Sequence, residues 1–276
     1  MPTTSTPRVE DLYQRSLSAH LPPEAWTKLQ AASVLVAGLG GGSNIAELLV
    51  RKGVGRLLLA DLDRYEPHNI RQRGSMASTW GREKVATMQE RLFDINPHIE
   101  VTPVPEGITL GNVEGLIRSA EFVVDMIDFH GLREKVALYR SARRNGKFVV
   151  TTPSVVNGAV LYVFAPEGIT FEDFFDYEEG LPIPDLGERF LRRLIPRFPK
   201  EAPRELYLAA ARGERTIPLD AVGVDQASVL AAGAIENLIL GRQDRVVTIP
   251  RGIQVDLSDP NYLARIVDYG PEFASR

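Results

Sequence analysis

The sequence predicts an α/β protein built on a doubly wound, mostly parallel sheet, and three observations predict it. Apolar, strand-like runs alternate with amphipathic, helix-like segments from Val34 to Thr152. One such run, Val34-Leu35-Val36-Ala37, ends in Gly38-Leu39-Gly40-Gly41-Gly42 and passes at once into a helical pattern over Ile45 to Arg51. The next strand, Arg56 to Ala60, delivers an acid, Asp61, about 20 residues beyond the glycines, the spacing at which a carboxylate reaches a ribose. Such alternation places helices on both faces of a Rossmann-like sheet, and ligands gather at the carboxyl ends of its strands. An inserted cap and a β-rich C-terminal part complete the expectation.

Taken in order, residues 1–8 are rich in Thr, Ser and Pro and read as a frayed terminus. Residues 10–31 are helical in pieces, broken at Pro22-Pro23, and carry Tyr13-Gln14-Arg15. The glycine loop follows its strand because a backbone that approaches a phosphate must dispense with Cβ, and the new helix turns its free N–H groups toward that charge. Gly53-Val54-Gly55 turns the chain into the second strand. Residues 63–81 are polar and irregular, with Asn69, Arg71 and Arg73 as candidate ligand contacts. A helix over Arg82 to Ile95 has Val85, Met88 and Leu92 at helical spacing and stops at Asn96-Pro97. Lys84 falls in its first turn, where the helix dipole is already positive, so a bound anion is expected beside it.

Glu100 to Val104 reads as a strand, Val113 to Ala120 as a short helix, and Phe122 to Ile127 as a buried strand that delivers Asp128. Leu132 to Arg144 is helical, with Asn145-Gly146 as its stop, and Phe148 to Thr152 and Ala159 to Phe164 are strands. From Pro166 to Pro218 the composition changes. An acidic, aromatic run, Phe171 to Glu179, precedes a basic amphipathic stretch that carries Arg189, Arg192, Arg193 and Arg197. The first reads as a packed loop with a solvated face, the second as a helix over the active site. Val224 to Leu240 is a small-residue helix packed on the sheet. The expected organisation is a helical segment 1–31, a nucleotide-binding core 32–165, an insertion 166–220, and residues 221–276 completing the core.

With 276 residues, 44% hydrophobic and 25% charged, the chain has room for a full core. A net charge of −4 gives no global excess for nucleic acid, and none is expected as a partner. No apolar run approaches the roughly 20 residues that span a bilayer, and the start lacks the apolar centre of a signal peptide, so a cytoplasmic location without stable membrane insertion is expected. The sequence contains no cysteine, which removes disulfides, thiolate zinc sites and cysteine nucleophiles together. His20, His68, His98 and His130 have no ligand spacing.

Taken together, Tyr13-x-Arg15, the glycine loop, Gly53-Val54-Gly55, Asp61-x-Asp63, Asn69 with Arg71-Gln72, Gly81-x-x-Lys84, Ile95-Asn96-Pro97, and Asp125-x-x-Asp128 with Arg133 resemble the ThiF/MoeB/HesA family, relatives of the ubiquitin-activating enzymes. The resemblance runs from about Arg8 to Gly158 and returns at Gly223 to Gly241. Three features depart from the family pattern. The glycine loop is one residue shorter, with either Gly42 or Ser43 in the place of the last glycine. The interval from Asn69 to Arg71 is also one shorter, and Phe129 replaces the asparagine that follows the second aspartate.

The resemblance implies ATP-dependent adenylation of a carboxylate, giving an acyl-adenylate and pyrophosphate. It assigns Gly38, Gly40, Gly41, Gly42, Asp61, Asp63 and Asn69 to nucleotide binding, with Asp61 on the ribose. Arg71 and Lys84 are expected on the triphosphate, Asp128 on Mg²⁺, and Arg15 on the phosphates across a homodimer. The chemistry fits charge considerations, since one anion must attack another and the site has to neutralise and align both. Without a cysteine, the acyl group would pass to an external nucleophile, to water or to a group on the substrate itself. The carboxylate partner is a carrier-protein or peptide C-terminus or a small acid. The alternatives are an NAD(P)-dependent oxidoreductase on the same kind of loop, and a non-catalytic scaffold that has drifted at the shortened loop.

Overall fold

The computed structural model describes residues 6–17, 21–199, 202–259 and 264–270. Two short helices lead in, α1 (Val9–Leu17) and α2 (Pro23–Ala31), and Pro23 fits the first turn of α2 because the N–H that it lacks has no intrahelical partner there. They precede β1 (Ser33–Ala37), α3 (Gly42–Arg51) and β2 (Arg56–Ala60). In the Gly53-Val54-Gly55 turn, Gly53 has φ +98° and both glycines are closely packed. A Cβ at Gly55 would overlap the Gln30 carbonyl, and one at Gly53 would lie 2.6 Å from the Trp26 ring.

The alternation then continues with α4 (Lys84–Ile95), β3 (Glu100–Val104), α5 (Val113–Ser119), β4 (Phe122–Asp125), α6 (Leu132–Arg144), β5 (Val149–Thr151), β6 (Ser154–Val155) and β7 (Gly158–Phe164). The segment beyond forms α7 (Phe171–Phe175), α8 (Ile183–Leu194) and α9 (Arg204–Ala211), before α10 (Ala221–Ile239), β8 (Arg251–Asp256) and β9 (Arg265–Asp268). The strand order is β3-β2-β1-β4-β5-β7-β8-β9, with β6 paired to β7. The first five strands in that order are parallel, and β7, β8 and β9 add to them antiparallel. This is the mostly parallel, doubly wound sheet that the sequence predicts.

Two cores follow from the period-two alternation of the strands. Val34, Val36, Leu57 and Leu59 face Ile45 and Leu49 of α3, Met88 and Leu92 of α4, and Ile235 and Leu238 of α10. Leu35, Ala37, Leu58 and Val123 face Ile117 of α5 and Val136 and Tyr139 of α6, together with Phe171, Phe174, Phe175 and Phe190. The acidic, aromatic run is thus a short helix in place of a loop. Thr170 caps it by accepting from the Asp173 N–H, its phenylalanines are buried, and its acids stay outside to pair with Arg140 and Arg189.

The sheet end also differs from the expectation. β4 stops at Asp125, two residues short of Ile127, because the Asp125 carboxylate accepts the Ile127 N–H at 3.0 Å and turns the chain out of the sheet. Among the described residues, no helix is long and apolar enough to cross a membrane.

Candidate active site

The carboxyl ends of β1, β2 and β4 meet at the glycine loop. Gly38 has φ +90°, and a Cβ there would lie 2.5 Å from the Met126 carbonyl oxygen and 3.0 Å from the Ile127 nitrogen. Only glycine satisfies both demands. Gly42 opens α3, and a Cβ on it would come within 2.8 Å of Val36 Cγ1, so Gly42 rather than Ser43 is the glycine that lets the helix pack on β1. A Cβ on Gly41 would meet Met126 Cε at 2.7 Å. Gly40 is the exception. Its Cβ would meet nothing nearer than Gln72 Nε2 at 4.0 Å, so the loop is open on that side.

Asp61 holds this loop in shape. Its carboxylate accepts the Leu39 N–H at 2.5 Å and the Asp63 N–H at 2.8 Å. Burial pushes its carboxyl above the usual carboxylate range, against the pull of Lys84 and of those two amides. Lys84 is 4% exposed, and its ammonium lies 2.9 Å from Asp63 and 3.8 Å from Asp61. Two carboxylates therefore supply the negative charge that the sequence reading assigned to a bound anion.

Asn69 is buried, and its side-chain oxygen accepts the Glu66 N–H, closing the 3-10 turn Pro67–Asn69 that leads to Arg71. Arg71 is half-buried and donates to the His68 carbonyl at 2.9 Å. Burial lowers its pKa while Asp128 raises it, so the Asp128 carboxylate is the acid that Arg71 senses. Arg73 is committed elsewhere, to Asp225 of α10 at 2.9 Å. Asn44 in the first turn of α3 ties these parts together, donating to Asp225 at 2.8 Å and to the Arg71 carbonyl at 3.4 Å and accepting the Arg73 N–H at 3.0 Å.

Asp128 is exposed, and it caps the 3-10 turn Phe129–Gly131 without a side-chain hydrogen bond. Asp125 is fully buried beneath it, bonded to the Tyr139 hydroxyl and ion-paired to Lys135. Phe129 packs on Phe190 of α8 with ring centroids 5.6 Å apart, which sets α8 against the segment that carries Asp128. Arg15 does not join this cluster within the chain. Its helix is anchored by Tyr13 to the Val50 carbonyl and to Asn96, at the end of α3 remote from the glycine loop.

The site can be tested against a nucleotide from its own atoms. Gln72 is buried with its Oε1 unpartnered, and its amide nitrogen is the atom nearest the open side of Gly40, a donor at the edge of the loop. Among the described residues, no three His, Asp or Glu side chains form a metal cluster. A lone carboxylate such as Asp128 suits Mg²⁺, which takes most of its ligands from phosphate oxygens and water. A cavity of about 240 Å³ lies elsewhere, between α6 and residues 165–172, where Arg140 and Arg143 are already held by Glu172 and the Gly168 carbonyl.

Asn44, Asp225 and Lys135 were not singled out by the sequence reading. Their signals are slight: a polar residue in the first turn after the glycines, one acid in a small-residue helix, and a lysine four residues before Tyr139 on α6.

The ThiF family matches residues 13–200 of this chain. A tRNA threonylcarbamoyladenosine dehydratase of Haemophilus influenzae is 33% identical over 156 residues, covering 55% of this chain and 59% of the relative. A molybdopterin-synthase adenylyltransferase of Escherichia coli is 33% identical over 157 residues, covering 56% and 57%. The matched stretches thus span less than two thirds of either relative. The crystal structure of E. coli MccB with ATP superposes with a TM-score of 0.64 at 16% identity, covering 88% of this chain and 65% of that one, a likeness of fold.

Proposed function

Because the chain belongs to the ThiF family, we propose that it is an ATP-dependent adenylyltransferase that activates a carboxylate as its acyl-adenylate. One observation carries this reading. The open glycine loop, the ribose-spaced Asp61, the half-buried Arg71 and the exposed Asp128 converge at one edge of the sheet, and among the described residues Arg71 has no carboxylate within ion-pair distance. A cation and an acid beside a phosphate loop suit a triphosphate with its metal, and hydride transfer needs neither. The E. coli relative is named an adenylyltransferase, and the structurally similar MccB is described with ATP.

In this reading the amides of Gly40 to Gly42 and the start of α3 face the phosphates, Asp61 takes the ribose hydroxyls, and Arg71 and Lys84 neutralise the triphosphate. Asp63 and Asn69 support Lys84 and Arg71 respectively. Asp128 would hold Mg²⁺, whose charge offsets the repulsion between the incoming carboxylate and the α-phosphate. A carboxylate oxygen bonds to the α-phosphorus, the bond to the pyrophosphate leaving group breaks, and the acyl group then passes to an acceptor outside this cysteine-free chain. Arg15 would serve the phosphates of a partner copy in a cytoplasmic homodimer. The acyl donor is the C-terminus of a small carrier protein or peptide, or a small acid.

The test is pyrophosphate–ATP exchange with a panel of carrier proteins, peptides and small acids. Exchange is expected with one of them and lost in Asp128→Ala, whose melting temperature stays unchanged because that side chain is exposed. No exchange across the panel would overturn the proposal. Calorimetry with ATP–Mg²⁺ against NADH tests the oxidoreductase reading directly.

A further inference from the structure

Beneath Asp128 lies a buried ion pair that the roles above do not use. The Lys135 ammonium is 2.6 Å from Asp125 Oδ2, with 7% and 0% of the two side chains exposed. The same nitrogen donates to the Ile127 carbonyl at 2.9 Å, while the Ile127 N–H donates to Asp125 Oδ1 at 3.0 Å. Tyr139 completes the set by donating its hydroxyl to Asp125 Oδ2 at 2.9 Å. Ile127 is therefore held at both its amide and its carbonyl, and that carbonyl belongs to the peptide bond that begins Asp128.

The other side of the segment is equally constrained. Gly38 lies against the Met126 carbonyl and the Ile127 nitrogen so closely that a Cβ would not fit. The link from β4 to Asp128 thus runs between the glycine loop and a buried ammonium. The Phe190 ring of α8 lies 6.0 Å from that ammonium and packs on Phe129, so α8 backs the same segment. A buried ion pair is weak evidence for stability, since desolvating both charges offsets much of their attraction. Fixing a geometry is the use better suited to such a pair.

We propose that Lys135, acting with Asp125, is a positioning residue of the site: together they fix the Ile127–Asp128 peptide so that the Asp128 carboxylate stands at a set place relative to the glycine loop, where it can share a divalent cation with a bound nucleotide. This rests on the reading that Asp128 serves a metal-bound nucleotide. The geometry predicts that the pair acts through Asp128 and leaves the rest of the nucleotide site alone.

The test uses the whole chain and reads binding. ATP affinity is measured by calorimetry with Mg²⁺ and with a chelator, for the wild type, Asp128→Ala, the double variant Asp125→Asn/Lys135→Met, and the triple variant. Lys135→Met alone leaves a charged carboxylate buried without its cation and is expected to fold poorly. The double variant removes both charges and is checked first by circular dichroism and thermal melting.

The expected result is a gain in ATP affinity on adding Mg²⁺ that falls at least tenfold in the double variant, with the metal-free affinity within twofold of wild type. Adding Asp128→Ala should then cause no further loss, because residues acting as one unit are not additive. A folded double variant that keeps the Mg²⁺-dependent gain within twofold, or losses that add independently of Asp128, would overturn the proposal. So would a wild-type affinity indifferent to Mg²⁺. If Mg²⁺-dependent binding behaves as expected and exchange is still absent with every acid, adenylation fails while the positioning role stands.

Discussion

Gly38 and Gly40 are the same residue type in one loop, and they answer to different constraints. Gly38→Ala places a Cβ against the Met126 carbonyl at φ +90°, and the left-handed backbone alone costs about 1–2 kcal/mol. A fall in urea midpoint is expected, with nucleotide affinity secondary to it. Gly40→Ala meets only Gln72 Nε2, at an unstrained 4.0 Å, so its melting temperature should match wild type while ATP affinity measured by calorimetry drops at least tenfold. The two arginines separate in the same way. Arg71→Gln should weaken ATP–Mg²⁺ binding tenfold or more, whereas Arg73→Gln should change it less than threefold, because Asp225 already holds Arg73. At this scale Asp61, Lys84 and Asp128 were legible as candidates from strand ends, glycine spacing and the helix dipole, whereas the choice of Arg71 over Arg73 rested on the family resemblance. The partners of Lys84 were not, because the helix dipole argument asks for an anion without saying whose. Asp225 lies 181 residues from Asn44 and Lys135 acts through a backbone carbonyl, and neither relation leaves a local pattern.

Among the elements, α5 and α6 are joined by one carboxylate. Glu114 accepts from Asn145, Ser141 and Arg144, and these hydrogen bonds hold its carboxyl down to about 2. A carboxyl lowered on folding releases its proton more readily in the folded chain, so its contribution is present above the ordinary value near 4.5 and is lost as pH falls toward 2. Denaturant midpoints across that window should therefore slope less in Glu114→Gln than in wild type. Helix and strand identities followed from apolar periodicity, and boundaries moved where a side chain intervened. β4 ends at Asp125 because that carboxylate captures a backbone N–H, and α4 starts at Lys84, after Glu83 has bridged to Arg64. The Phe171 to Phe175 run hid its helix, since five residues are too few to show a period.

For the molecule as a whole, the segment beyond β7 is not a lid laid over a finished domain. Phe171, Phe174, Phe175 and Phe190 belong to the same core as Leu35, Val123 and Val136. Unfolding is accordingly expected as one transition, with tryptophan fluorescence from Trp26 and Trp80 coinciding with far-ultraviolet circular dichroism. Phe174→Ala, at a fully buried ring, should lower stability by about 3–5 kcal/mol. A denaturant curve in which the two probes separate would show that segment unfolding on its own. The composition change at Pro166 marked a boundary in sequence, but packing into the core on one face of the sheet erased it in space.

The pairing of Lys84 with Asp61 and Asp63 has a consequence for what the site would admit. A lysine that is already neutralised offers little to a free inorganic anion, since its ammonium bonds Asp63 at 2.9 Å and has Asp61 as a second, longer contact at 3.8 Å. In the proposed role, a sugar hydroxyl at Asp61 would weaken the longer of the two contacts, and a phosphate on the same molecule would compete with Asp63 for the ammonium. Recognition would then behave as a logical conjunction: pyrophosphate alone and adenosine alone each bind poorly, and their covalent union binds by far more than the sum.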